Sequence, residues 1–163
     1  MWLDEAWGEG RHVKRVEKID NHTGIVLTNG VFDILHKGHI ELLKFSKLQG
    51  DKLIVAIDSD ERVKQIKGKD RPINNEEDRR RVLETNRYID SVVTFNSTEE
   101  LKSLYSTLSP DVIVKGSEWT ADEVRERDSI PDDIQVKVYP LVGEYSTTNT
   151  MQKIRSMETC EKI

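Results

Sequence analysis

The stretch IVLTNGVFDILHKGH, residues 25 to 39, decides the fold because it joins a short apolar run to a polar turn that carries two histidines. The apolar start predicts a β-strand, and the residues from Gly38 onward have the spacing of a helix. The first N–H groups of a helix lack partners and point outward, so nucleotide phosphates are often held at such junctions. The stretch therefore predicts a phosphate site after the first strand.

Further apolar runs alternate with helical patterns along the rest of the chain. Strands are predicted at 25–29, 52–57, 91–95, 111–116 and 134–141, with helices that begin near residues 38, 58, 75, 97 and 146 and a charged segment at 120–128. This alternation predicts an α/β protein with a doubly wound sheet of about five parallel strands. The last run alternates apolar and polar residues, which favours a place near the sheet edge. Ligands bind such sheets beyond the carboxyl ends of the strands.

Length, charge and cysteine content narrow the class of protein. The 163 residues fit one domain, predicted at 24–163, after an N-terminal extension at 1–23 that holds neither helical nor strand periodicity. A net charge of −5 gives no sign of a nucleic-acid or membrane surface. No apolar run approaches the roughly 20 residues of a membrane span, and MWLDEAWGEG lacks the layout of a signal peptide. The single Cys160 fits a reducing cytosol, so a cytoplasmic location is predicted.

The two histidines of the opening stretch are candidates for phosphate chemistry. His36 and His39 are three residues apart, which places both imidazoles on one side of the first helical turn. Gly38 lies between them and has no Cβ, so a phosphate or ribose can approach the backbone. Imidazoles there can donate hydrogen bonds to phosphoryl oxygens whose charge grows in a transition state. The pattern alone also suits part of a metal site or two surface histidines.

Positive side chains recur at the predicted ligand edge. Lys67, Lys69 and Arg71 lie in a glycine-containing loop, and Arg79 follows in the next helix. Lys115 closes a buried-looking strand, where a cation needs an anionic partner. In a chain of net negative charge this concentration of cations favours an anionic ligand, and the alternative is a solvated basic loop.

Hydroxyls mark the start of the last predicted helix. Ser146, Thr147 and Thr148 can form a phosphate cradle with the free N–H groups behind them, or one of them can act as a simple N-cap. Asp33 is the one carboxylate of the opening motif and could hold a hydroxyl, a cation or Mg²⁺. Neither GxxxxGK[ST] nor a GxGxxG after the first strand is present.

These motifs together resemble a known family. TNGVFDILHKGH is similar to the HxGH signature of the cytidylyltransferase-like nucleotidyltransferases, and YSTT resembles their second signature at the start of the last helix. The similarity runs from about Gly24 to Ile154 in the family's order. It implies a Rossmann-like nucleotidylyl transferase fold. Within the superfamily, the chain most resembles the adenylyltransferase domain that makes ADP-heptose from heptose 1-phosphate and ATP.

The resemblance implies a reaction and its residues. A sugar-phosphate oxygen attacks the α-phosphorus in line and pyrophosphate leaves, with Mg²⁺ bound to the nucleoside triphosphate and no metal site of the protein's own. His36 and His39 contact the triphosphate, and Lys67 helps to stabilise the reacting phosphates. The candidate nucleotide- and substrate-binding residues are Thr28, Asn29, Gly30, Phe32, Asp33, Gly38, Arg71, Arg79, Lys115, Gly116, Ser146, Thr147 and Thr148. A homodimer is also implied, with partners limited to the triphosphate and a sugar or polyol phosphate.

Two departures keep other functions open. Residues 115–119 read KGSEW where the heptose group usually has KGGDY, and LETNRYID at 83–90 looks more like the glycerol-3-phosphate cytidylyltransferases. CTP with glycerol 3-phosphate is therefore the alternative to ATP with heptose 1-phosphate. A nucleotide-binding regulatory module without turnover is the alternative of another class, and only the altered KGSEW loop favours it.

Overall fold

A computed structural model of the chain describes residues 24–116, 119–140 and 145–160, the last three by their backbone alone. The predicted N-terminal extension, 1–23, and the Cys160 thiol lie outside the described residues. Within these ranges no helix is both long enough and apolar enough to cross a bilayer.

Five parallel strands form a single sheet. The strands are β1 Ile25–Gly30, β2 Lys52–Asp58, β3 Ser91–Phe95, β4 Val112–Gly116 and β5 Gln135–Tyr139. Their order is β3-β2-β1-β4-β5, so the chain builds outward from β1 and then returns to its other side. This arrangement confirms the predicted doubly wound, Rossmann-like sheet and the edge position of the last strand. The strand order reverses between β1 and β4, where sheets of this kind bind ligands.

Six helices of the described chain connect or follow the strands. They are α1 Lys37–Lys47, α2 Asp60–Lys67, α3 Glu76–Glu84, α4 Thr98–Leu108, α5 Ala121–Asp128 and α6 Thr147–Cys160. Side chains of the usual capping types, Ser59, Asn75, Ser97 and Thr120, each accept a backbone N–H at the start of α2 to α5. The charged segment at 120–128 forms α5, because Thr120 and Glu123 close a reciprocal capping box.

Helices cover both faces of the sheet. Because successive strand residues point to opposite faces, Val26 of β1 packs with α1 and α3, and Leu27 packs with α4 and α5. The buried helix residues at these contacts are Leu43 of α1, Leu83 of α3, Leu101 of α4 and Val124 of α5. Burial of a side chain of this size stabilises the fold by about 1.5–3 kcal/mol each.

The strand register sets which residues meet at the carboxyl edge. Gly30 at the end of β1 pairs with Ile57 of β2, and Thr28 pairs with Val114 of β4. Asp58 and Lys115 follow these partners, so they end on opposite flanks of β1. Neighbouring strands lie about 4.8 Å apart, so Asp58 and Lys115 are both close enough to contact a ligand that binds beyond the end of β1.

Candidate functional site

A cavity of about 670 Å³ lies along the carboxyl edge of the sheet. Its walls come from the ends of four strands, the starts of α1 and α6, and the loop after α2. Fourteen of the sixteen candidates meet in its lining: Asn29, Gly30, Phe32, Asp33, His36, Gly38, His39, Lys67, Arg71, Lys115, Gly116, Ser146, Thr147 and Thr148. Residues far apart in sequence therefore share one space.

The two histidines stack face to face. The ring centroids of His36 and His39 are 3.8 Å apart with an interplanar angle of 19°. His36 is the N-cap of α1 and its Nδ1 accepts the backbone N–H of His39 at 3.4 Å. Phe32 lies 5.2 Å from the His39 ring, in a turn where its own backbone has a φ of +48°. This left-handed conformation is uncommon outside glycine, so the turn is held by its surroundings.

Burial keeps both imidazoles mostly neutral at pH 7. Desolvation lowers the pKa of His36 below its usual 6.5. Desolvation and the nearby His36 ring lower the pKa of His39 to about 4, and the Ile34 carbonyl opposes this shift only in part. Nδ1 of His39 is buried and has no hydrogen-bond partner in the described part of the chain. The pair therefore presents mostly uncharged polar nitrogens to the cavity.

The hydroxyl cluster faces the histidines from the start of α6. Ser146 Oγ accepts the backbone N–H of Asn149 at 3.0 Å, so this hydroxyl caps the helix. Thr147 Oγ1 donates to the Ile34 carbonyl at 3.5 Å and links α6 to the turn before His36. Thr147 and Thr148 both line the cavity. Two helix N-termini, those of α1 and α6, thus converge on it, which suits an anion.

The cationic loop is fixed to the histidine turn by Asp33. Its carboxylate accepts the backbone N–H groups of Ile73 and Asn74, each at 2.8 Å, and the Nε of Arg71 at 3.2 Å. The Asp33 side chain is only 1% exposed. Since three N–H donors already occupy its oxygens, Asp33 positions the loop that carries Arg71 and Lys67 at the cavity wall.

Two candidates do not line the cavity. Arg79 is 1% exposed and its guanidinium donates to the carbonyls of Asn74, Val31 and Asp58 and to the Asp60 carboxylate. It therefore joins the ends of β1 and β2 to α2 and α3, where a guanidinium can satisfy several carbonyls at once. Thr28 is fully buried within β1, and its Oγ1 finds no partner among the described residues.

Lys115 has the anionic partner that its buried strand end predicts. Its Nζ lies 2.6 Å from Oδ2 of Asp128, the last residue of α5. Burial lowers the pKa of Lys115 and the Asp128 charge opposes that shift. Burial alone would raise the pKa of Asp128, but Arg127 and Lys115 outweigh it and hold that pKa below its usual value.

Several residues of the cavity wall are absent from the sequence prediction. They are Asp58 and Arg62 at the end of β2 and in α2, Thr98 and Leu101 in α4, and Arg127 and Asp128 in α5. Helix residues on α2, α4 and α5 reach the site by tertiary packing, and no local motif marks them. Asp58 alone carries a signal, since a carboxylate directly after a buried parallel strand falls at the ligand edge.

Known proteins resemble this chain across most of its length. The sequence profile of the cytidylyltransferase-like family matches residues 27–161. The bifunctional protein HldE of Campylobacter fetus subsp. fetus is 36% identical over 167 residues, which cover 93% of this chain and 36% of that protein. The HldE protein of Marinomonas sp. is 44% identical over 134 residues, covering 82% and 28%. The chain thus spans about a third of the length of these relatives.

Solved structures share the fold. The lipopolysaccharide core biosynthesis protein from Thermoplasma volcanium superposes with a TM-score of 0.58 at 30% identity, over 75% of this chain and 98% of that one. Pantothenate synthetase from Thermus thermophilus gives a TM-score of 0.52 at 13% identity, over 85% and 68%, which is a likeness of fold alone.

Proposed function

Because the chain belongs to the cytidylyltransferase-like family of nucleotidyltransferases, we propose that it transfers a nucleoside monophosphate from a nucleoside triphosphate to a sugar phosphate, with release of pyrophosphate. The first choice of substrates is ATP and heptose 1-phosphate, which give ADP-heptose. The similarity of the motifs to the heptose adenylyltransferases supports this choice, as does the likeness to a lipopolysaccharide core biosynthesis protein.

One observation carries the proposal. The stacked His36 and His39 at the head of α1 share one cavity with the hydroxyls at the head of α6. Two helix N-termini, two imidazoles and the hydroxyl of Thr148 offer many donors to a single polyanion. A triphosphate needs such a dense set of donors, whereas a single phosphate needs far fewer.

The residues support an in-line displacement. In this mechanism an oxygen of the sugar phosphate bonds to the α-phosphorus while the bond from that phosphorus to the bridging oxygen breaks, and pyrophosphate leaves. His36 and His39 would hydrogen-bond the phosphoryl oxygens as their charge grows. Lys67 at the cavity wall would stabilise the reacting phosphates by its positive charge, and Arg71, whose charge is largely balanced by Asp33, would add hydrogen-bond donors. No covalent intermediate is required, so the chain needs no nucleophile of its own.

Mg²⁺ would enter as part of the triphosphate substrate. Among the residues that the structure describes, no group of three or more His, Cys, Asp or Glu side chains is placed to bind a metal ion. Asp33, the carboxylate of the histidine motif, already accepts from three N–H donors. Mg²⁺ commonly binds through substrate phosphates and water with few protein ligands, which agrees with this donor set.

Pyrophosphate release tests the proposal directly. The protein would be incubated with ATP or CTP and with heptose 1-phosphate or glycerol 3-phosphate, in all four pairs. We expect release with ATP and heptose 1-phosphate above every other pair. Release chiefly with CTP and glycerol 3-phosphate would establish the alternative activity, and no release with any pair would support a regulatory nucleotide-binding module. In parallel, the preferred triphosphate should raise the melting temperature more than the other.

A further inference from the structure

Three charged side chains meet where the end of β4 faces the end of α5. Lys115 Nζ lies 2.6 Å from Oδ2 of Asp128. Arg127 donates to both oxygens of the same carboxylate, from Nε to Oδ1 at 2.8 Å and from Nη2 to Oδ2 at 3.3 Å. All three residues line the cavity, and we refer to them as the β4-side triad.

The β4-side triad carries one net positive charge, because two cations share one carboxylate. The other ion pairs of the cavity wall, Arg71 with Asp33 and Arg62 with Asp58, are paired one to one. The side chain of Lys115 is 8% exposed, so its ammonium depends on a fixed anionic partner. A cation held away from water also attracts a further anion more strongly than a solvated one does.

Arg127 is held on two sides, and this fixes the carboxylate that it shares with Lys115. Its Cζ lies 5.2 Å from the centre of the Trp119 ring, in the segment between β4 and α5. The ring contact and the two bonds to Asp128 restrict the guanidinium. Asp128 is the last residue of α5, where helices often fray, so the bonds to Arg127 hold its carboxylate in one orientation.

The surrounding charges determine when Lys115 loses its proton. Burial lowers the pKa of Lys115 and Arg127 adds to this shift, whereas Asp128 and the more distant Asp58 of β2 oppose it. Tyr105 of α4 also faces Asp128 and Arg127, but burial raises the pKa of its hydroxyl, which stays protonated. The pKa of Asp128 is lowered and that of Arg127 is raised, so both keep their charges in alkaline solution. Lys115 is therefore the member of the triad whose charge is lost as the pH rises.

From this arrangement we propose that Asp128 is a positioning residue that holds the Lys115 ammonium at the cavity wall for the triphosphate, while Arg127 fixes the orientation of the carboxylate. The ammonium contacts the anion, and Asp128 acts through it. The inference rests on the proposed nucleotidyl transfer, because the anion concerned is the triphosphate of that reaction.

The test measures how much Lys115 contributes to triphosphate binding at each pH. ATP with Mg²⁺, or CTP where it is preferred, would be titrated into the protein by calorimetry without acceptor, from pH 6.5 to 9.5. The contribution of Lys115 is the factor by which Lys115→Met raises the Kd at a given pH. We expect about tenfold near neutral pH, as for a lost hydrogen bond to a charged group. The factor should fall toward one as the pH rises through the pKa of Lys115.

Two further substitutions, each made with and without Lys115→Met, should move this decline in opposite directions. Asp128→Asn removes the charge that supports the ammonium, so the decline should occur at least about one pH unit lower than in wild type. Arg127→Met removes a competing cation, so the decline should occur at higher pH. Asp132→Asn, a fully exposed substitution just after α5, is the matched control and should leave the decline where it is in wild type. A purely structural role would not produce opposite shifts.

The remaining outcomes separate this inference from the proposed function. The same decline in Asp128→Asn as in wild type would overturn the inference. If Asp128→Asn does not fold, an unchanged or lowered decline in Arg127→Met would overturn it instead. The expected shifts without pyrophosphate release would support the inference and reject the proposed function. No binding of ATP or CTP to the wild type would overturn both.

Discussion

At the scale of single residues, buried charges around the cavity hold backbone in place. Asp33 accepts two backbone N–H groups from the loop after α2, and Arg79 donates to three carbonyls from three different segments. A charged partner makes each such hydrogen bond stronger than a neutral one. These residues therefore shape the site by holding its backbone segments together.

Asp33→Asn tests this role of positioning. The amide places N–H donors where the carboxylate accepted the N–H groups of Ile73 and Asn74, so one buried donor at least loses its partner. We expect the free energy of unfolding to fall by about 2 kcal/mol, measured by urea denaturation. Asp70→Asn, an exposed substitution in the same loop, should have almost no effect. Equal stability of the two variants would contradict the role.

His39→Ala tests the role of the stacked imidazoles in transfer. Removal of one transition-state donor should lower kcat by on the order of a hundredfold in the pyrophosphate assay. Lys37→Ala, an exposed residue of the same turn that does not line the cavity, should keep near-normal turnover and is the control. A His39→Ala enzyme with near-normal turnover would refute the role.

Burial of His39 also predicts how stability depends on pH. Its pKa is about 4 in the folded protein, against 6.5 for an ordinary histidine. As pH falls through this interval the unfolded chain takes up a proton that the folded chain excludes, so the free energy of unfolding decreases. Urea denaturation at pH 7 and pH 5 should show a larger loss for wild type than for His39→Gln. An equal loss in both proteins would contradict the predicted coupling.

Some of these residues could be predicted from the sequence and others could not. His36, His39 and the hydroxyls of 146–148 could be predicted because each lies at a helix start, where local sequence defines both backbone and chemistry. Arg79 was a candidate for phosphate binding because of its positive charge. In the fold its guanidinium instead donates to four acceptors from other segments of the chain. Such tertiary hydrogen bonding leaves no periodic signal along the chain.

At the scale of elements, the start of α1 lies close to Tyr145, the residue before the α6 cap, and this approach narrows the space proposed for the phosphates. Gly38 is the second residue of α1, and a Cβ built there would lie 3.1 Å from two His36 ring atoms and 3.5 Å from Tyr145 Cβ. Any larger residue therefore presses on the N-cap imidazole and on the segment that leads into α6. The glycine is needed for close approach at a helix start.

Gly38→Ala should lower activity with little effect on stability. Alanine favours the helical backbone by roughly 0.5–1 kcal/mol and displacement of the His36 cap costs about as much, so we expect the free energy of unfolding to change by less than about 1 kcal/mol. Displacement of the His36 ring should lower kcat/KM by roughly tenfold or more. Urea denaturation and the pyrophosphate assay give the two values, with Lys37→Ala again as the control. A variant that retains full activity would show that the ring tolerates the methyl group.

The observed bounds of the strands and helices agree closely with those predicted from the sequence. The apolar run at 91–95 is β3 to the residue, and the last helix begins at Thr147, one residue from the predicted start. Buried parallel strands read as continuous apolar runs, which makes their positions predictable. The helix predicted from near residue 75 begins at Glu76 and ends at Glu84, because the chain turns at Thr85 toward β3.

At the scale of the whole molecule, the order β3-β2-β1-β4-β5 puts one cavity across the middle of the sheet. The alternating elements predicted this class of sheet, and the family matches confirm the resemblance drawn from the motifs. Alternation alone does not specify strand order, since several orders satisfy right-handed crossovers. The walls contributed by α4 and α5 depend on that order, which is why sequence reasoning missed them.

The quaternary structure is a prediction at the same scale. We expect a homodimer, as the family resemblance implies. Light scattering coupled to size exclusion should therefore give a mass near twice the 18.8 kDa of one chain. The mass should persist on dilution across the micromolar range if the dimer is stable. A single-chain mass at every concentration would contradict the prediction.

The hydrogen bond that His36 accepts as the N-cap of α1 also determines which of its ring nitrogens carries hydrogen. A neutral imidazole has one nitrogen without hydrogen and one that carries it. Because the backbone N–H of His39 donates to Nδ1 of His36, Nδ1 is the nitrogen without hydrogen. Folding of the first turn of α1 thus selects the Nε2–H tautomer of His36. The neutral ring can then donate a hydrogen bond through Nε2. It keeps this donor at pH values above its pKa, where the positively charged form is absent.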